Sequence, residues 1–396
     1  MKPTIGKRAT FTETAAKNKI TSLTGKAGKN KRRITMKKII AITLALMLIL
    51  ASAALAEAVA FNDPAAVRPE TIEYPVQGLS WNATTDVRAN EEYTIAMIVK
   101  NNTNPFMNGV LNGFAKAGED IGFEALLLSP QTADSNEDQV RLVEDMIQRG
   151  VDAICIHPVD SNGIVPALEK AWEAGIPVLV QGTRANTDKI YGWYGTKYAD
   201  EATLIAEYLA EKLDYKGNVI YITGPQTAQN AIDEMEATHA VFDKYPELNI
   251  IEEQPGNFNR ATSMSVMENL TQKYSEDDID WVIGGNDECA MGAIAAMENA
   301  GWKLGFEDGG IGVSGIDCNK DASYAIQEGT LTVSINPDPV SLGYVGAAFL
   351  VKYLNDGDLF PEYVAWPDFQ NATDVMNDAT TIDDYIENVA WWKDPA

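Results

Sequence analysis

From residue 92 onward the chain alternates short β-rich apolar runs with longer segments whose apolar positions recur at helical spacing, the pattern of βαβ units and parallel sheets. The apolar runs predict strands at 93–99, 124–128, 153–156, 177–180, 218–222, 249–253, 281–284, 310–315 and 331–335. Helical spacing fills the gaps, for example over 136–149, 163–174, 200–213 and 289–300, and returns once more over 340–354. Two such series imply an α/β protein of two doubly wound parallel-sheet lobes. The boundaries expected are 91–194 plus 337–365 for the N-terminal lobe, and 195–336 plus 366–396 for the C-terminal lobe and an acidic tail. A late helix packing back on the first lobe makes the chain cross more than once, so a multi-strand hinge is expected.

The beginning of the chain reads differently. Residues 36–56, MKKIIAITLALMLILASAALA, have a basic start, an apolar run too short for a stable span and an Ala54-Leu55-Ala56 cleavage signature, which together read as an export signal. Residues 1–35 are basic without apolar periodicity and read as an over-extended start or a long n-region; residues 57–90, with Pro64, Pro69 and Pro75, read as an extended leader. No lipid-anchor cysteine follows the apolar run, so the expected location is the periplasm, as a freely soluble protein.

Composition narrows the classes. Over 396 residues the net charge is −26; residues 1–56 carry 12 Lys/Arg and one Asp/Glu, so removing them leaves 19 basic against 56 acidic residues, a net of −37. Such a field opposes binding to nucleic acid or to anionic membranes. Cys155, Cys289 and Cys318 are widely spaced, with no CxxC or His-rich cluster beside them, so neither a disulfide framework nor a metal site is indicated.

Candidate chemistry comes from position. In open α/β sheets ligands bind beyond the carboxyl ends of the strands, where loops converge at the switch in strand order. After the first strand come Asn101, Asn102, Asn104 and Phe106; after the third, His157 and Asp160; after the fourth, Gln181, Thr183 and Arg184. The second series supplies Thr223, Gln226 and Asn230, then Asn257, Phe258 and Asn259, then Asn286 and Asp287, then Asp317, and finally Asn336. Planar amides, carboxylates and guanidinium groups can bridge vicinal hydroxyls, and aromatic faces pack on the C–H faces of a sugar ring. At any single position Asn or Asp is equally explained by turn formation; Phe106 and Phe258 are not turn residues.

The stretches TIAMIVKNNTNPFMNGVLNGFAKAGEDIGF, IHPVDSNGIVPALEKAWEAGIPVLV, QPGNFNRATSMSVMENL, GGNDECAMGAIAAMENAG and GVSGIDCNKDASYAIQEGTLTVSINPDPVSLGYVGA occur in that order. They resemble the class I periplasmic sugar-binding proteins of ribose-binding type, over about residues 92–355. The resemblance implies capture of a sugar or sugar-like polyol between two lobes and its delivery to an ABC permease of the inner membrane, by a monomer without cofactor or catalysis. Carried over by motif, ligand residues fall on Asn104, Phe106 and Met107 in the first lobe, on Phe258, Asn286 and Asp317 in the second, and on Asn336 near a crossing strand; Gln181 and Arg184 follow the strand PVLVQ. The chain departs from the family pattern where Asp-Arg is usual after that strand, where Asp233 and Glu234 replace an expected arginine, and where Met107 replaces a second aromatic. The identity of the sugar is therefore open.

Other motifs carry less. Residues 310–315, GIGVSG, satisfy GxGxxG, but the glycines lie within the expected strand rather than between a strand and a helix. Asp134, Asn136 and Asp138 imitate the start of a calcium loop, yet Gln139 and Asp145 occupy its Gly and Glu positions; Ser135 ahead of Asp138 reads as a helix start. Asp287 and Asp317 lack any sign of the buried proton donor that glycoside hydrolysis needs. A sensory protein presenting a sugar-like signal to a receptor, a secreted α/β enzyme and the ligand domain of a lactose-repressor-type regulator are the alternatives, the last opposed by the export signal and the negative charge.

Overall fold

The computed structural model describes residues 61–62, 72–73, 87–357, 359, 363–365 and 376–393. The export signal, residues 1–35, Trp366 and most of the 57–90 leader lie outside these residues.

The first series gives β1 (Ile72–Glu73), β2 (Thr94–Ile98), β3 (Glu124–Leu128), β4 (Ala153–Ile156), β5 (Val178–Gln181) and β6 (Gly192–Gly195), with α1 (Pro105–Ala117), α2 (Asn136–Arg149) and α3 (Val165–Glu173) between them. The second gives α4 (Tyr198–Lys212), β7 (Lys216–Thr223), α5 (Gln229–Phe242), β8 (Glu247–Pro255), α6 (Arg260–Lys273), β9 (Trp281–Gly284), α7 (Asp287–Asn299), β10 (Gly312–Ile316), α8 (Lys320–Glu328) and β11 (Val333–Ile335). The chain then makes α9 (Pro339–Asp356), β12 (Tyr363–Ala365) and β13 (Met376–Asp378).

These strands form two sheets. One runs β1-β12-β6-β5-β4-β2-β3, all parallel; the other runs β13-β11-β10-β9-β7-β8, parallel except for the antiparallel β13. The chain passes from the first sheet to the second after β6, returns between β11 and β12, and crosses again between β12 and β13. All nine expected strands are present. The short strands β1, β6, β12 and β13 are additional, each too brief to show a period.

Burial on both faces explains the continuous apolar runs. Along β2 and at the residue after it, Ile95, Met97 and Val99 enter a core shared with α1 and α9, while Ala96 and Ile98 enter one shared with α2 and α3. The second sheet does the same: Ile220 and Ile222 face α6, α7 and α8, and Val219 and Tyr221 face α4 and α5. The expected GxGxxG resolves as packing, because a Cβ on Gly312 would lie 2.1 Å from the Trp281 ring and one on Gly315 would lie 2.3 Å from Asp287 Oδ1. The imitation calcium loop resolves as the start of α2, where the Ser135 side chain accepts from Asp138 N at 3.2 Å.

Strand order reverses twice. From β2 the chain goes outward to β3 and then back to β4 on the other side; from β7 it goes to β8 and then to β9. The loops after β2, β4, β7 and β9 therefore converge at two switch points, one in each lobe.

Candidate functional site

Both switch points open onto one cleft-like cavity of about 380 Å³, walled by residues of both lobes. The first-lobe wall begins with the residues after β2. Asn104 is the N-cap of α1, its Oδ1 accepting from Phe106 N at 2.9 Å, and Pro105 occupies the first helical position, where its missing N–H costs nothing. This cap turns Phe106 and Met107 inward, both buried. Asn101 braces the loop: its Oδ1 accepts from Asn104 N at 2.8 Å while its Nδ2 donates to Asp134 Oδ1 at 2.6 Å.

On the opposite wall Phe258 follows Asn257, both in the left-handed backbone region at φ 54° and 59°. The ring fits only because its neighbours have no side chain. A Cβ on Gly224, after β7, would lie 2.2 Å from the Phe258 ring, and one on Gly285, after β9, would lie 3.2 Å from it. Asn286 caps α7, its Oδ1 accepting from Cys289 N at 3.0 Å and its Nδ2 donating to Asp317 Oδ2 at 3.3 Å.

Asp317 has φ 122° and Cys318 φ 47°, conformations that L residues rarely adopt. The C-terminal segment holds them: Trp391 Nε1 donates to the Asp317 carbonyl at 2.9 Å and Trp392 Nε1 to that of Cys318 at 3.2 Å. The expectation of an acidic tail thus gains a role at the site for its last two tryptophans.

Six of the nine expected ligand residues line the cavity: Asn104, Phe106, Met107, Phe258, Asn286 and Asp317. The other three do not. Gln181 ends β5 fully buried, with neither amide atom hydrogen-bonded and off the cavity wall. Arg184 is exposed, its guanidinium over the Trp193 ring at 5.6 Å. The Asn336 Oδ1 turns back to accept from Asp338 N at 3.0 Å, which sets the start of α9. Strand-end position does not fix side-chain direction, and all three point elsewhere.

Several wall residues were not among the expected ligand residues: Lys100, Asp134, His157, Tyr198, Glu201, Asn230 and Glu234. Burial lowers the Lys100 ammonium to about 8, against the pull of Asp134, Glu234 and Asp317, and Lys100 lies over the Phe258 ring at 5.7 Å. Burial, reinforced by Lys100, holds His157 neutral. Its Nε2 accepts from Thr183 N at 3.3 Å, which leaves the proton on Nδ1, an atom with no partner. Burial raises Glu201 to about 8; Thr196 opposes the rise from close by, yet neither its hydroxyl nor the carboxyl oxygens complete a hydrogen bond. Burial also lifts Glu234 and Asp317 well above the usual carboxylate range, with Glu201 adding to the rise at Glu234 and Asp287 to that at Asp317.

A signal for the two glutamates exists in the sequence. Glu201 shares the buried stripe of α4 with Ile205 and Leu209, and Glu234 that of α5 with Thr238 and Val241. A carboxylate on an apolar stripe is a buried one.

The lobes also bond directly to one another at the cavity rim. Ser161 N donates to the Thr227 carbonyl at 3.0 Å, Gln229 N to Ser161 Oγ at 2.9 Å, and Thr183 Oγ1 to Asn230 Oδ1 at 2.8 Å. These bonds join the two walls across the cavity.

Comparison with known proteins agrees with this geometry. The family model described as a periplasmic binding protein domain matches residues 95–358. The ribose import binding protein of Bacillus subtilis (strain 168) is 30% identical over 263 residues, covering 66% of this chain and 82% of that protein. The D-apiose import binding protein of Actinobacillus succinogenes is 31% identical, covering 56% of this chain and 71% of its own length. Among solved structures, a galactofuranose binding protein superposes with a TM-score of 0.68 at 25% identity, covering 74% of this chain and 97% of that one.

Proposed function

This chain belongs to the periplasmic binding protein family, in its ribose-binding type, and from that premise we propose that it captures a sugar or sugar-like polyol between its lobes and delivers it to an ABC importer of the inner membrane. It is a binding protein rather than an enzyme, as its relatives are. The observation that carries the reading is the composition of the cavity wall: amides, carboxylates and two phenylalanines from both lobes line one shared cavity. The relatives named for ribose and D-apiose import, and the solved structure named for galactofuranose binding, support the sugar class.

In this reading Asn104, Asn286 and Asp317 hold hydroxyls, Phe106 and Phe258 pack on the ring, and Met107 fills the apolar side. His157 Nδ1–H and the Asn230 amide supply further donors. The lobe division at 194/195, 336/337 and 365/366 gives three crossings about which the lobes hinge. A ligand touching both lobes favours the closed state by its differential affinity, and that closed state is what a permease recognises. Export to the periplasm and a monomeric state complete the proposal.

A thermal-shift panel of sugars and polyols tests it. At a ligand concentration of about 1,000 Kd the gain is about 4 kcal/mol, which for a protein of this size raises Tm by roughly 5–6 °C. No shift with any member would remove the reading.

A further inference from the structure

The cavity holds more acid than neutral polyol capture requires. Asp134, Glu201, Glu234 and Asp317 line it against one ammonium, that of Lys100, while His157 is neutral. Asp200 and Asp233 on the adjoining turns add further negative potential at Glu201 and Glu234 respectively.

Elsewhere the fold satisfies its buried acids. Asp287 accepts from Ser334 Oγ and Asn319 N, each at 2.7 Å, and Glu288 takes two hydrogen bonds from Arg260, at 3.2 and 2.6 Å. In the cavity the pattern breaks. Glu201 is wholly buried with both carboxyl oxygens unpartnered, and Glu234 Oε2 is unpartnered too. Lys100 is drawn by Asp134, Glu234 and Asp317, and among the described residues no cation acts on the Glu201 carboxyl. Unpartnered buried carboxyl oxygens are costly and few in native proteins, so both of those on Glu201 and one on Glu234, in residues lining a ligand cavity, point to a partner supplied by the ligand.

The chemistry of that partner follows from what two carboxyls accept. A hydroxyl offers one neutral donor. An ammonium offers three donors and also offsets the charge. His157 Nδ1–H on the same wall supplies a donor for a ligand oxygen, so the ligand is not a simple cation but a polyol carrying one. We infer that the captured solute bears a protonated amine, an amino-sugar or amino-polyol, seated with its ammonium against Glu201 and Glu234 and its hydroxyls toward the amide wall. This inference rests on the polyol reading and names its ligand class.

Capture then has a proton balance. In the empty cavity Glu201 holds a proton at neutral pH, since burial raises it to about 8. An ammonium beside it stabilises the carboxylate, so the Glu201 proton leaves to solvent while the ligand amine keeps its own.

The test is calorimetric titration of the mature protein with matched pairs: D-glucosamine and D-glucose, D-galactosamine and D-galactose, glucamine and sorbitol. The expected result is at least ten-fold tighter binding of the amine in the pairs that bind. Proton release should appear as heat that varies with the ionisation enthalpy of the buffer. Glu201→Gln should abolish the preference and reduce the proton release while retaining its thermal transition, and Glu234→Gln should weaken the preference as well. Neutral members binding as tightly as the amines, in every pair that binds, would overturn the inference and leave the polyol reading standing. Binding by neither member of any pair would overturn both.

Discussion

Glu201→Gln also isolates a stability effect that can be worked from the structure. Gln has the shape of a protonated Glu, so the variant fixes the wild-type neutral state at every pH. Burial raises Glu201 from its ordinary 4.5 to about 8 in the folded protein. Between those values the folded state holds a proton that the unfolded chain releases. The stability this proton confers is therefore complete below about pH 4.5 and lost as pH rises toward 8; a rise of that size corresponds to as much as about 5 kcal/mol. The variant does not share the loss. Subtracting the two proteins removes, to first order, the contributions of Asp287 and Lys100, which do not feel the Glu201 charge. Glu234 and Asp317, which do, are relieved in the variant and add to the difference in the same sense. Urea unfolding of ligand-free protein at pH 5 and pH 8.5, followed by far-UV circular dichroism, measures the difference. The variant should gain about 3–5 kcal/mol on wild type between the two pH values. Parallel stability curves would refute the claim that Glu201 is buried without a partner.

Three further outcomes follow from the cavity wall. Gly224→Ala drives a Cβ into Phe258 at 2.2 Å; overpacking should cost about 1–3 kcal/mol in urea unfolding and weaken ligand at least ten-fold, with secondary structure unchanged. Trp391→Phe deletes the donor to the Asp317 carbonyl at 2.9 Å; a loss of about 1–2 kcal/mol in the unfolding midpoint is expected, with ligand affinity several-fold weaker by calorimetry. Thr183→Val removes the 2.8 Å bond to Asn230 across the clamp; since only the closed form makes it, affinity should fall about five-fold, or about 1 kcal/mol, with faster dissociation in stopped-flow fluorescence.

Much of this was legible in the sequence because topology and strand ends are local properties. The apolar runs gave nine of the described strands, and the rule that ligands sit beyond strand ends pointed to Asn104, Phe258, Asn286 and Asp317, which line the cavity. Four short strands were not legible. β6, with Gly192 and Gly195 at its ends, and β1, β12 and β13, of two or three residues each, owe their existence to pairing across the sheets. Direction was the other missing quantity. Gln181, Arg184 and Asn336 follow or end strands as the others do, but their side chains turn into the lobe, over Trp193 and toward Asp338. Lys100, just past the end of β2, is buried on the cavity wall, and nothing in its local pattern signals that. Glu201 and Glu234 are legible from their place on the buried stripes of α4 and α5, where a carboxylate shares the face of apolar residues.

The central claim is that one solute is held from both sides at once. A crystal structure of the protein with its bound solute, identified beforehand by native mass spectrometry, measures this directly. The account predicts density enclosed between Phe106 and Phe258, within hydrogen-bonding reach of Asn104 on one lobe and Asp317 on the other. A solute held by residues of a single lobe, or seated outside this cavity, would contradict it.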